Sequence, residues 1–198
     1  MKKIQKIELI IKHFGFIAGF FILIKKFYRT ILIRYSTFYW SKKVFKCGRN
    51  SIFNTNIKID YPKNIIVGEN CYIGSDTKIG SERIDAKLRI HDNVKINNSV
   101  QIDYSGDLEI GDGSLISEGV IIYTHSHNYD PRSTPIFRKL KIGKNVWIGA
   151  RSIIMPNVEI IGDDSIVGAN SLVLKSIGPK QIVGGNPAKF IKKRPDLE

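Results

Sequence analysis

The sequence predicts an all-β solenoid, a parallel β-helix carrying an N-terminal α-helical appendage and one protruding loop. Three observations predict it. Aliphatic residues recur every six positions: Val67, Ile73 and Ile79; Ile84, Ile90, Ile96 and Ile102; Ile110, Ile116 and Ile122; Ile142, Ile148 and Ile154; Ile161, Val167 and Val173. That period is broken once at length, by the polar stretch YTHSHNYDPRSTPIFRKLK at 123–141. Ahead of the repeat lies a segment of different composition, residues 1–46. A six-residue period fits neither a 3.6-residue helix nor an alternating strand. It fits a short flat side with one inward aliphatic followed by a turn, so three sides close a coil and stacked coils share one core.

Residues 1–46 carry 11 Lys/Arg and one acid, Glu8, out of a net charge of +13 for the whole chain. They also hold 11 of the 20 aromatic residues. The longest uncharged run, 14–24, is half of the roughly 20 residues a spanning helix needs. Lys25, Lys26 and Arg29 follow it where a secretory leader would carry small residues. Aromatic and aliphatic residues mixed with cations suit helices lying on an anionic membrane surface. Helices packed on the solenoid or on a neighbouring subunit are the other reading. No helix-turn-helix, zinc-finger or RNA-recognition motif accompanies the charge, so no nucleic-acid partner is expected.

The repeat domain is expected over 47–188 and a basic C-terminal tail over 189–198. Gly, Asn and Asp recur beside the inward aliphatics because corners need left-handed or tight backbone. Residues 80–87 form an excursion, 104–107 a small expansion, and the Ile154-to-Ile161 step holds one extra residue, as in a bulge. The loop 123–141, with Pro131 and Pro135, cannot follow the repeat and should project as an arm; ordered loops of that length are usually functional. Cys47 and Cys71 form no CxxC and no ligand spacing, which fits reduced thiols in the cytoplasm.

The ordered set of hexads, the His-bearing loop, NVWIG (145–149), VGAN (167–170) and GGNPAK (184–189) resembles the hexapeptide-repeat acyltransferases over about residues 50–192. The loop is most similar to that of galactoside, maltose and streptogramin O-acetyltransferases. The short length and greasy basic start look more like the O-acetyltransferases of surface-polysaccharide synthesis. The resemblance implies a left-handed β-helix, against the general crossover rule. It also implies a homotrimer with sites between subunits, acetyl-CoA as donor, and no metal. The compartment it implies is the cytoplasm, here at the inner face of the membrane.

Acetyl transfer to a hydroxyl needs a base, and histidine suits that task near neutral pH. Of four histidines, His13 and His91 look incidental, while His125 and His127 share the arm. The resemblance places His127 as general base and His125 beside it, shaping the acceptor pocket or orienting the base. It makes the Ala150 amide the oxyanion donor and matches Asn97 to an acceptor-binding asparagine. Asn98 stands one step away, and a plain corner asparagine is the other reading. Trp147 matches a tryptophan flanking the pantetheine arm, and Ala169 a small residue beside the cofactor. Lys189, Lys192 and Lys193 follow Pro187 as phosphate-binding candidates, with Lys192 on the family's basic position. A γ-carbonic-anhydrase-like metal site would need a third histidine and a different spacing from His125-x-His127.

Overall fold

The computed structural model describes residues 12, 13 and 15–195. Much of the amphipathic start, residues 1–11 and 14, lies outside them, as do 196–198.

The chain from Lys46 onward winds into a three-sided parallel β-helix of about seven turns. Sheet A stacks Lys46–Cys47, Ile65–Val67, Leu88–Ile90, Leu108–Ile110, Leu140–Ile142 and Ile160–Ile161. Sheet B stacks Ile52–Phe53, Tyr72–Ile73, Lys95–Ile96, Leu115–Ile116, Trp147–Ile148, Ile166–Val167 and Gln181–Gly184. Sheet C stacks Lys58–Ile59, Lys78–Gly80, Gln101–Asp103, Ile121–Ile122, Ile153–Ile154 and Leu172–Val173. The hexad aliphatics pair with one another down each sheet, as Ile96, Ile116, Ile148 and Val167 do in sheet B. All are buried except Ile84, which is 72% exposed. The core follows Leu88 instead, because residues 81–87 leave the coil.

The corners explain the rest of the repeat. Asn70, Asn93, Asn145, Asp164 and Asn170 all adopt positive φ, where their short side chains tolerate left-handed backbone. Buried corner serines complete the bonding: Ser114 Oγ donates to the Gly143 carbonyl (2.8 Å) and accepts the Val146 N–H (3.1 Å).

The three edges differ. Between sheets A and B the connections are residues 48–51, 68–71, 91–94, 111–114, 143–146 and 162–165, always four. Between B and C they are 54–57, 74–77, 97–100, 117–120, 149–152 and 168–171, again always four. Between C and A they are 60–64, 81–87, 104–107, 123–139 and 155–159. The long variation in length is therefore confined to the C/A edge.

Helix α1, Phe16–Lys43, ends where Val44 turns extended and buries itself under the first coil. Lys42 and Lys43 occupy its last turn, where cations suit the helix dipole. Its C-terminal part closes the open end of the solenoid. Thr37 Oγ1 accepts the Phe53 N–H (3.1 Å), and Ser36 Oγ donates to the Asn54 carbonyl (2.6 Å). Trp40 packs on the core. The packing reading of this segment therefore holds for the end of the helix. The remainder carries a different face outward, described below.

The chain's other end also departs from expectation. Lys189–Lys193 is not a loose tail but a strand, antiparallel to Gln181–Gly184 at the end of sheet B. Arg194 Nη1 ties the hairpin back to the Asn145 and Asp164 carbonyls at 3.0 and 3.2 Å.

Candidate active site

The long loop leaves the C/A edge as a short hairpin rather than an irregular arm. His125–Ser126 pairs antiparallel with Ile136–Phe137. Its root is held by Thr124, which is fully buried. The Thr124 N–H donates to Asp103 Oδ2 (2.7 Å), and its hydroxyl accepts the Gly106 N–H (2.9 Å). Gly106 is required by space: a Cβ there would lie 2.1 Å from the Arg138 carbonyl oxygen and 2.5 Å from that of Thr124.

His127 Nδ1 lies 2.8 Å from the Ser133 carbonyl oxygen. A carbonyl only accepts, so Nδ1 carries the hydrogen and the neutral ring presents its lone pair at Nε2. That nitrogen is 3.8 Å from Glu82 Oε2. Ser133 Oγ in turn donates to the His127 carbonyl (2.7 Å), closing the loop tip around the ring. His125 stands edge-to-face against His127, with centroids 5.4 Å apart. Its Nδ1 donates to Asp103 Oδ2 (2.9 Å), and its Nε2 is 3.4 Å from Glu82 Oε1. Burial alone would raise the Asp103 carboxyl. Hydrogen bonds from the Ser105 hydroxyl, the Thr124 N–H and His125 outweigh it and hold the carboxyl below its ordinary value.

Two carboxylates thus join the histidines that sequence reading had paired. Asp103 ends a sheet C strand, and Glu82 sits in the 81–87 excursion, with its N–H on Ser105 Oγ (2.8 Å). Both excursions had been noticed, but neither carboxylate had been singled out. Glu82, His125 and His127 offer ligand atoms all within 4.8 Å of one another. The convergence suits a divalent cation or a shared proton, and its third member is a carboxylate rather than the histidine a spacing argument seeks.

The other predicted residues lie elsewhere on the prism. Asn97, Ala150 and Ala169 occupy the B/C edge in the connections 97–100, 149–152 and 168–171. Asn98 Oδ1 accepts the Ser75 N–H (3.0 Å), so it is the corner-holding residue; the Asn97 side chain bonds to no described residue. The Ala150 N–H likewise donates to no described residue, while its carbonyl accepts the Asn170 N–H (2.9 Å). Trp147 is exposed on sheet B, its Nε1–H on Ser117 Oγ (3.0 Å). Trp147, Ile166, Ile182 and Lys192 follow one another in register across sheet B. Lys189 and Lys193 share Lys192's strand. A flat ring, two small corner residues, a free amide and terminal cations on one straight path fit a pantetheine arm ending in phosphates. His125 and His127 are not among them: one side of the prism, roughly 20 Å of extended chain, separates the two edges.

The hexapeptide description of bacterial transferases (six repeats) fits residues 139–175. A chloramphenicol acetyltransferase of Agrobacterium fabrum is 53% identical over 55 residues, 28% of this chain and 26% of that protein. An Escherichia coli K12 protein described as a lipopolysaccharide-biosynthesis O-acetyltransferase, WbbJ, is 39% identical over 97 residues, 42% of this chain and 49% of its own length. The chain thus spans about half or less of the curated relatives it matches. Among solved structures, the N-acyltransferase AntD of Bacillus cereus, in complex with dTDP and coenzyme A, superposes with a TM-score of 0.69 at 27% identity, over 78% of this chain and 87% of AntD. These relatives and neighbours are acetyl- or acyltransferases, and the solved neighbours carry coenzyme A or acetyl-CoA. Repeat, fold and relatives together place the chain in the hexapeptide-repeat transferase family.

Proposed function

We propose that the protein is an acetyl-CoA-dependent O-acetyltransferase that modifies a sugar hydroxyl of a bacterial surface glycan or of its precursor. The observation that carries this is the His127 ring, pinned at Nδ1 with a basic Nε2 on the insertion-bearing edge. His127 takes the acceptor's hydroxyl proton at Nε2 as its oxygen bonds to the thioester carbonyl carbon. Ser133 keeps the ring oriented, and Glu82 steadies the imidazolium. The C–S bond then breaks, and His127 returns the proton to the leaving thiolate. An N–H aimed at the oxyanion, that of Ala150, contributes about 3 kcal/mol. Acetyl-CoA supplies the acyl group. Asn97 binds the acceptor, Trp147 and Ala169 line the donor's path, and Lys189, Lys192 and Lys193 meet its phosphates.

The two edges suggest how the site is completed. His127 and the donor residues stand a full side apart in one chain, so they meet only if one subunit's C/A edge faces another's B/C edge. A homotrimer with shared sites satisfies that.

The helix supports a membrane-surface role on the cytoplasmic face. Ile17, Phe21, Ile24, Tyr28, Ile31, Tyr35 and Phe38 recur at steps of three and four, and all are exposed. Ser36, Thr37 and Trp40 hold the solenoid-facing side. Lys25, Lys26, Arg29 and Arg34 accompany the apolar stripe, the composition of an interfacial helix. No helix among the described residues is long and apolar enough to cross a membrane.

Thiol release from acetyl-CoA, with a panel of glycan acceptors and antibiotics beside His127→Ala, tests the proposal. Glycan-dependent release lost in the variant supports it. Release with antibiotics alone favours the second reading, a xenobiotic acetyltransferase, which the 53% identity to chloramphenicol acetyltransferase over 55 residues keeps in play.

A further inference from the structure

A hollow of about 480 Å³ opens on sheet A beside the C/A edge. Four cations line it: Lys63, Lys87, Arg89 and Lys139. None has a carboxylate within ion-pair distance among the described residues. Two acids also line the hollow, and both are engaged. Asp107 takes Arg83 Nη2 (2.8 Å) and the Lys87 N–H (2.8 Å), and Glu109 takes His91 Nε2 (2.9 Å). Four uncompensated positive charges around one concave space repel one another unless an anion neutralises them.

The hollow adjoins the histidines by a short chain of contacts. Asp107 holds Arg83, the neighbour of Glu82, and the Arg83 guanidinium lies 5.5 Å from the Phe137 ring centroid. Phe137 pairs in register with His125, and Lys139 follows two residues later. On its far side the hollow is lined by Phe45, two residues beyond the end of helix α1. It thus lies between the base of the helix and the catalytic loop, away from the donor path on sheet B and the B/C edge. Its volume is in the range of small-molecule sites.

We infer that this hollow binds the diphosphate of the acceptor, so that the substrate is a diphosphate-linked sugar whose glycan reaches His127. The inference rests on the acyl-transfer reading for its consequence, while binding itself does not. Either a nucleoside diphosphate sugar or a lipid-linked diphosphate sugar supplies the same group.

The test is titration calorimetry on the full chain with inorganic pyrophosphate, dTDP-glucose and farnesyl diphosphate in detergent micelles. Lys87→Ala/Arg89→Ala is compared with His127→Ala and with the sheet C variant Lys78→Ala. Pyrophosphate is expected to bind the wild type and to bind the double variant at least tenfold more weakly, with Lys78→Ala and His127→Ala unchanged. The organic diphosphate that binds more tightly than pyrophosphate names the source. In turnover the double variant should raise KM for that acceptor with kcat preserved. Absence of pyrophosphate binding, binding indifferent to the double substitution, or displacement of pyrophosphate by coenzyme A would each overturn the assignment. Intact pyrophosphate binding with no transfer to any acceptor would retain the anion site and sink the acetyltransferase reading instead.

Discussion

The B/C and C/A edges are built from the same repeat and differ in one respect. Every B/C connection has four residues, whereas C/A connections include the excursion 81–87 and the loop 123–139. The constant edge stacks its corners directly, and Ala150 and Ala169 form a straight rail because nothing there changes length. The variable edge gathers Glu82, Asp103, His125 and His127 from three different coils. Both could not be achieved on one edge. An insertion placed between A and B or between B and C would break a rail; on the third edge it leaves the inward aliphatics in phase. Regularity thus serves a long ligand, and irregularity serves chemistry.

The largest effect expected from breaking this contrast is His127→Ala. Acetyl transfer should fall roughly a hundred- to ten-thousand-fold, as thiol release measures, with the melting temperature unchanged. A different lesion tests the root of the variable edge. Gly106→Ala drives a Cβ into the Arg138 and Thr124 carbonyls and should cost about 1–3 kcal/mol or more in urea unfolding. At Gly119 on the constant edge, a Cβ meets only Arg151 Cγ at 3.4 Å, and alanine there should cost about 1–2 kcal/mol through positive φ alone.

The Asp103 carboxyl sharpens the comparison by pH. Its folded-state value is held down, so its stabilisation is present above the ordinary carboxylate value of about 3.9 and fades as pH falls through the lower folded value. Asp103→Asn should therefore flatten the loss of melting temperature on acidification, and a melting series from neutral to acid pH reads this directly. The smallest effect belongs to the rail: Lys192→Ala should raise KM for acetyl-CoA by a few fold, about 1 kcal/mol or less for an exposed cation, and leave kcat alone.

The sequence made the inward positions legible because a fixed period needs no tertiary knowledge; Ile110, Ile116 and Ile122 could be assigned one by one. It failed at Ile84, where the period ran on through an excursion that turned that side chain outward. His125 and His127 were visible because they interrupt a pattern. Glu82 and Asp103 were not, since stacking alone carries residues some forty and twenty positions away onto the same ring nitrogens. Lys189–Lys193 read as a solvated tail because a polar strand at the end of a sheet lacks an apolar signature.

The central claim is that one subunit's variable edge works against another's constant edge, and mixed assembly tests it most directly. His127→Ala removes the base from one edge, and Ala169→Trp blocks the rail on the other. Each homotrimer should be inactive. Co-expressed and randomly mixed, they should regain about a quarter of wild-type thiol release, because one pairing in four joins two intact edges. Mixed assemblies that form and stay inactive would contradict the account.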